Sequence, residues 1–347
     1  MCLFKKLIKN RKYTANTKNG GIIPPLPIII KDGIEYRDHR VGTVPKKCGK
    51  CIECMKQKAR DWAIRLKEEI KYDWYEITVV KGNKQKGNIT VEKIKKRREK
   101  PRWVTLTFSN ESIQKLSTRT NTKGYEFDNE MARIGLDLFQ NRWKKKYKET
   151  PRHWFVTELG HSGTENIHLH GFIFTDKTPA EIEERWGYGY VYHGYSVNNA
   201  AINYTIKYVH KQDSDHKYYV PIILSSKGIG SQYLKSYDAK KHNEKNDTYT
   251  NEKGYKQKLP DYYRNHIYNE EQKEKMWIEK LNKNEIYVLG QKVNIKNGLD
   301  DFRNVLTEAR AINKSMGYGD AEIDYDQKEY EHARREMMKE ERLKKKN

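Results

Sequence analysis

The sequence predicts an α+β protein: an antiparallel sheet in the order β-α-β-β-α-β, with a Cys-rich helical extension before it and a helical extension after it. Three observations predict it. Segments rich in β-branched and aromatic residues recur at 103–108, 153–158, 167–174 and 188–193, and these read as strands. Helical periodicity fills the gaps at 129–147 and 178–186. The second and third strands are joined closely enough to pair directly. That order is the ferredoxin-like or RRM-like split βαβ arrangement, an antiparallel sheet with helices on one face. The chain divides by pattern into an N-terminal arm, Cys cluster and basic helix (1–100), a sheet core (101–235) and a charged, mostly helical extension (236–347).

Each element has its own local reason. Residues 1–47 are irregular, and the Pro-interrupted apolar run Ile22–Ile30 is expected to lie extended across the main body. Met55, Ala59, Trp62, Ala63, Leu66 and Ile70 recur at three- and four-residue intervals, one apolar stripe of a helix. Its other face is basic, with Lys56, Lys58, Arg60, Arg65 and Lys67. The polar run at 81–101 reads as a loop or exposed helix, and 109–128 as a polar loop. In the helix at 129–147, Met131, Ile134, Leu138, Trp143 and Tyr147 take the inner positions. Gly160 to Thr164 reads as a turn. Thr178-Pro-Ala-Glu181 is a capping box with Pro at the first helical position. Ser196 is placed as the cap of a helix from Val197 to Lys211, whose Ile202, Ile206 and Val209 face the sheet. Residues 219–224 suit an edge strand because of Pro221. The glycine-rich turn 225–230 precedes a short helix, and its backbone N–H groups could take a phosphate or merely close a turn. Residues 238–258 are polar. Helices follow from Leu259 to Leu281 and over 298–313, then a charged helix or tail over 321–347.

Charge narrows the class of partner. The 347 residues carry 69 Lys+Arg against 47 Asp+Glu, a net charge of +22, which favours a polyanion such as nucleic acid. Twenty-five tyrosines among the cations supply stacking surfaces suited to single strands. No apolar run is long enough to span a membrane, and the N-terminus does not read as a secretory signal. Three of four cysteines cluster as Cys48-Gly-Lys-Cys51-Ile-Glu-Cys54, a spacing that suits a structural zinc ion or packed small residues at a helix start in a reducing compartment. A zinc site would need a fourth ligand, with His39 or Cys2 available.

The candidate chemistry centres on Asn166-Ile-His-Leu-His-Gly171. Residues two apart on a strand share a face, so His168 and His170 stand side by side. Glu158 ends the preceding strand and would lie beside them. Two imidazoles and a carboxylate can hold a divalent ion such as Mg2+ or Mn2+, whereas Glu158 could equally balance nearby cations. On the next helix Tyr204 and Tyr208 are an i, i+4 pair, and Lys207 and Lys211 repeat the interval. A phenol is a weak nucleophile near neutral pH until a cation or base favours its anion. Metal, tyrosine and lysine together suit phosphoryl transfer, with attack on a phosphodiester giving a 5′-phosphotyrosine and a free 3′-hydroxyl.

Trp103-Val-Thr-Leu-Thr-Phe108, His168-Leu-His170 and Tyr204-x-x-Lys-Tyr208 resemble the three ordered motifs of HUH endonucleases that initiate rolling-circle DNA replication. The resemblance is closest to replication initiation proteins of Microviridae, single-stranded DNA bacteriophages, in their gokushovirus branch. Cys48 to Cys54 followed by Trp62-Ala-x-Arg65 resembles that branch's N-terminal motif, and Lys227-Gly-Ile-Gly230 its segment after the tyrosine helix. The resemblance implies an HUH endonuclease core in which Glu158, His168 and His170 bind Mg2+ or Mn2+. It implies that Tyr204 and Tyr208 are nucleophiles assisted by Lys207, with Arg60, Arg65, Lys211 and Lys227 as DNA contacts. It further implies nicking and rejoining of phage origin DNA in the cytoplasm of a bacterial host, alongside host replication proteins such as a helicase and a polymerase. Two departures touch turn geometry: Glu158-Leu-Gly160 replaces the family's Glu-Tyr-Gly, and Asn166-Ile167 replaces Arg-Pro before the histidines. A non-catalytic basic nucleic-acid-binding protein with a zinc-type cysteine cluster is the alternative.

Overall fold

The computed structural model describes residues 1–15, 20–83, 88–161, 165–296, 298–319 and 325–344. In chain order it forms β1 (Lys6–Lys9), β2 (Ile28–Lys31), β3 (Ile34–Arg37), β4 (Thr43–Lys46), α1 (Ile52–Lys71), β5 (Trp74–Asn83), β6 (Asn88–Arg97) and β7 (Pro101–Thr107). There follow α2 (Asn110–Ser117), α3 (Gly124–Tyr147), β8 (Arg152–Leu159), β9 (Ile167–Phe174), α4 (Pro179–Trp186), β10 (Val191–Ser196), α5 (Asn199–His210) and β11 (Ile223–Ser225). The remainder is α6 (Tyr237–Lys240), β12 (Thr248–Thr250), β13 (Lys256–Lys258), α7 (Asp261–Ile267), α8 (Glu270–Asn282), β14 (Glu285–Val288), β15 (Gln291–Asn294), α9 (Asp300–Ser315) and α10 (Tyr325–Lys344). The fold is mixed α+β with antiparallel sheets.

Contacts group the residues into two compact units that interleave along the chain. One comprises 1–57, 242–257 and 264–323; the other comprises 58–241, 258–263 and 324–347. The first unit contains the hairpins β1–β4, β2–β3 and β14–β15 together with α8 and α9. Its apolar cluster gathers Leu3, Cys51, Ile52, Met55, Val288, Ala309 and Tyr318. The Pro-interrupted arm differs from its expected course: Ile22, Ile23, Ile28 and Ile30 stay exposed, and 28–31 folds back on 34–37. The reason is Asp32-Gly33, both at positive φ (53° and 77°), the Asp-Gly two-residue turn that closes a hairpin.

The second unit is built on a five-stranded sheet in the order β10-β7-β9-β8-β11, and β7, β8, β9 and β10 pair antiparallel throughout. Strand alternation sorts its side chains. Ile167, Leu169 and Ile173 of β9 join Val104, Leu106, Phe155 and Leu159 beneath α2, α3 and α4. Phe172 and Phe174 join Trp154 and Val156 on the opposite face, beneath α1 and α5. Helices therefore cover both faces, where the sequence order suggested one. The covering stripe on α1 is the one its periodicity predicts, with Ala59 and Leu66 buried and Trp62, Ala63 and Ile70 packed beside them.

Local chemistry explains several boundaries. Thr178 caps α4 in a full capping box with Pro179 in its first turn. Ser109 accepts from Ser112 N–H and starts α2, a helix inside the stretch expected to be loop. Asn198, rather than Ser196, caps α5. The basic run at 81–101 forms the hairpin β5–β6 outside residues 84–87, which are not described. Ile89, Val91 and Ile94 were the strand formers inside its charge. Of the expected turn from Gly160 to Thr164, residues 162–164 likewise lie outside the described residues.

Candidate active site

β9 places His168 and His170 on the face that also carries Phe172 and Phe174, toward α5 rather than α3. Register supplies the carboxylate: Glu158 is the direct cross-strand partner of His168, and Thr107 is its partner on the other side. His170 sits between Val156 and Thr105. Glu158 reaches diagonally to His170, with Oε2 2.9 Å from Nε2, and its Oε1 accepts from Lys211 Nζ at 2.6 Å. Thr105 Oγ1 stands 3.0 Å from His170 Nδ1 and holds the ring so that Nε2 faces Glu158. Gly171 allows this close packing, because a Cβ there would fall 2.0 Å from the Trp154 carbonyl oxygen.

α5 brings the tyrosines to the same place. Its apolar stripe Ile202, Ile206 and Val209 is buried against the sheet, which turns the 204/208 face along the sheet surface. The Tyr208 ring lies parallel on His170, with centroids 4.4 Å apart and planes within 3°. The Tyr204 and Tyr208 hydroxyls are 3.2 Å apart. Tyr204 is about half exposed and meets Trp103 edge-on at 5.8 Å. Lys207 lies over the Tyr204 ring and Lys211 over that of Tyr208, each 5.7 Å from the centroid.

Electrostatics follow from this crowding. Burial alone would raise the Glu158 carboxyl, but hydrogen bonds from His170 and Lys211 hold it below the ordinary carboxylate range. Burial, aided by neighbouring His170, lowers His168 and keeps it neutral near physiological pH. His168 also hydrogen-bonds the backbone of Asn166. Burial raises the Tyr208 hydroxyl, as do its bond to Tyr204 and the nearby Glu158 charge.

These residues suit a hard divalent ion in donor type: two neutral imidazoles, each with one edge engaged by a neighbour, and an ionised carboxylate. Their donor atoms are not gathered as tightly as two other sets. Among the described residues, ligand atoms converge within 4.8 Å at Cys2, Cys48, Cys51 and Cys54, and at His161, Asp213 and His216. In the second set both nitrogens of His216 are engaged, Nδ1 2.7 Å from Asp213 and Nε2 2.6 Å from Glu165.

The candidate DNA contacts are placed diversely. Lys211 bonds Glu158, while Lys227 and Arg60 are exposed. The Arg65 guanidinium is sandwiched between Trp62 and Tyr262, 4.1 Å from each ring, and its Nε donates to the Ile229 carbonyl. The glycine-rich turn is tied inward. Arg152 binds the Lys227 and Gly228 carbonyls, and Gly230 N–H donates to Glu69, so that N–H is already used within the protein.

Sequence reasoning missed two supports of the site. Thr105 becomes visible only through the β7–β9 register. The other is a buried charge network from α10. Arg335 binds Asp128 at 2.7 Å, Glu165 Oε2 at 3.1 Å and the Glu165 carbonyl at 3.2 Å. Arg334 adds a 2.6 Å bond to Glu165, and Arg342 reaches Asp128 at 3.2 Å. Asn166, the residue before β9, donates to the Phe108 carbonyl and to Asn110. The network fixes the chain just before the histidines.

Residues 101–213 match the family model of the replication-associated protein ORF2/gene II protein. The matched segment runs from the start of β7 to just past α5 and contains Thr105, Glu158, both histidines, both tyrosines and Lys211. It supports a replication-associated role and likens this segment to rolling-circle replication proteins. Comparison with curated proteins and with solved structures finds no match. No described helix is long and apolar enough to cross a membrane.

Proposed function

We propose that the chain is a replication initiation endonuclease of the HUH type, which nicks single-stranded origin DNA by tyrosine attack and later rejoins the strands. The observation that carries this reading is the stacking of Tyr208 on His170, beside Glu158 and with the Tyr204 hydroxyl 3.2 Å away. Nucleophile candidates and metal-ligand candidates thus share one patch of sheet surface. The strand order β10-β7-β9-β8 is that of a ferredoxin-like split βαβ core, which supports the same reading. So does the family match, and the motifs noted above favour a Microviridae-like phage protein acting in a bacterial cytoplasm with host replication proteins.

Glu158, His168 and His170 would hold the ion. A bound Mg2+ or Mn2+ supplies Lewis-acid stabilisation of charge on the scissile phosphate. The rest is done by side chains. One phenol oxygen forms a bond to phosphorus as the bond to the 3′-oxygen breaks; the phenol loses its proton and the 3′-oxygen gains one. Tyr204 and Tyr208 can pass a proton between them. Lys207 offers positive charge beside Tyr204, favouring its anion. Trp103, against Tyr204, offers a face on which a base can stack. Rejoining is the reverse step, with a 3′-hydroxyl attacking the phosphotyrosine.

The test is labelled single-stranded origin DNA incubated with the chain and Mn2+ or Mg2+. A denaturant-resistant protein–DNA adduct that maps to Tyr204 or Tyr208, and is lost when both are Phe, is the expected result. DNA bound without adduct on every origin fragment would favour the non-catalytic binding protein. His168→Ala should lose cleavage and keep DNA binding.

A further inference from the structure

The four cysteines occur in a contact unit that contains none of the tyrosine-site residues, and nothing in the proposed cleavage uses them. Two separate pieces of chain bring them together. Cys48, Cys51 and Cys54 come from the turn into α1 and its first residues. Cys2 arrives through the β1–β4 pairing, in which Lys6 is level with Lys46. Carrying that pairing outward brings Cys2 level with Lys50, inside the Cys48–Cys51 loop. Gly49 takes φ +78° there, a left-handed turn that lets both loop cysteines face the same point.

The sulfurs have the spacing of a tetrahedral site. All four lie within 4.8 Å of one another, and Cys48 and Cys54 are 3.9 Å apart. Zinc–sulfur bonds of about 2.3 Å put neighbouring ligands of a tetrahedron about 3.8 Å apart. A disulfide needs about 2.05 Å between sulfurs, and all four thiols are free. Backbone N–H groups already point at the sulfurs: Cys48 N–H at Cys2 (3.2 Å), Cys51 N–H at Cys48 (3.4 Å) and Leu3 N–H at Cys51 (3.5 Å). Such donors stabilise thiolate charge and orient ligands. Cys51 and Cys54 are buried among Leu3, Ile52, Met55, Val288, Ala309 and Tyr318, so the point of convergence is walled by apolar packing. Asn313 supports the same turn, its Oδ1 accepting from Ile52 N–H at 2.8 Å.

We propose that Cys2, Cys48, Cys51 and Cys54 form a closed structural Zn2+ site that joins the N-terminal strand to the start of α1. Four thiols release four protons to solvent on binding, and Zn2+ with four thiolates leaves a net charge of −2. His39, the other fourth-ligand candidate, is exposed on a separate turn and takes no part. With no open coordination position the ion is structural rather than catalytic.

The experiment uses the full chain purified with reductant and without chelator. Elemental analysis should find about one zinc per chain. Co2+ exchanged into the protein should give the intense visible bands of a tetrahedral tetrathiolate. Cys2→Ser should release metal to a chromogenic chelator at least tenfold faster while the Tyr204/Tyr208 adduct assay reports on the other site independently. Because Cys51→Ser could prevent folding, Cys2→Ser, at a half-buried terminal position, is the deciding variant. Substoichiometric zinc after zinc supply, a weak octahedral Co2+ spectrum, disulfides in place of free thiols, or unchanged release from Cys2→Ser would each overturn the proposal.

Discussion

At the scale of single residues, Thr105 shows how little chemistry is needed to set an imidazole. Its hydroxyl against His170 Nδ1 decides which nitrogen faces Glu158. Thr105→Val keeps the shape and removes that partner. We expect a 10–100-fold loss in Mn2+ affinity or nicking rate with DNA binding unchanged; equal rates in a metal titration would mean that the Glu158 contact alone sets the ring. The histidines, Glu158 and the tyrosine pair were legible because each rests on spacing: i, i+2 on a strand and i, i+4 on a helix. Thr105 was not, because a threonine in a strand is ordinarily a strand former, and only cross-strand register distinguishes it. His161, Asp213 and His216 were missed for a similar reason: His161 is 52 residues before Asp213 and no local pattern joins them.

At the scale of elements, α10 is the helix whose sequence said least. Its charge suggested a solvated tail, yet Arg335 and Asp128 are each about 1 % exposed. Breaking a buried ion pair from one side leaves the other charge uncompensated. Arg335→Met should therefore lower stability by about 3–5 kcal/mol in urea denaturation, whereas a change within error would mean that Arg334 and Arg342 suffice. His216 extends this network. Asp213 and Glu165 flank it, Arg334 and Arg335 bind Glu165 from α10, and the rings of His161 and Tyr125 lie 6.0 and 6.1 Å away. Burial alone would lower it, but bonds to Asp213 and Glu165 raise it above its ordinary value. A raised folded pKa means a contribution complete below the unfolded value of about 6.5 and lost as pH rises through the folded one. The gap in melting temperature between wild type and His216→Gln should accordingly narrow as pH climbs from 6 to about 8.5; a gap that widens would reverse the assignment. The charge run at 81–101 hid a hairpin for a related reason: Lys and Arg dominate its composition, while the pairing of Trp74 with Arg97 through to Asn83 with Asn88 depends on strand formers between them.

For the whole molecule, net charge was the most legible property and the least local. With +22 spread over 347 residues, affinity for single-stranded DNA should fall steeply with salt. For about six neutralised phosphates, a fourfold rise in salt should weaken binding by roughly a few hundred-fold. A flat response in a fluorescence titration would remove nucleic acid from the list of partners. The interleaving of the two contact units was beyond the sequence, since segments 242–257 and 264–323 join the N-terminal residues by packing rather than by any repeat or linker.

The α10 network also has a consequence in time. Glu165 and Arg335 are separated by 170 positions, and Asp128 and Arg335 by 207. At about 5–20 residues per second, a ribosome makes Glu165 roughly 10–30 s before Arg335. Throughout that interval the start of the histidine strand lacks its buried partners, and the loop closed by their meeting is among the slowest kinds to form. The strand that carries the candidate chemistry is thus among the earlier parts synthesised and among the last to be locked in place.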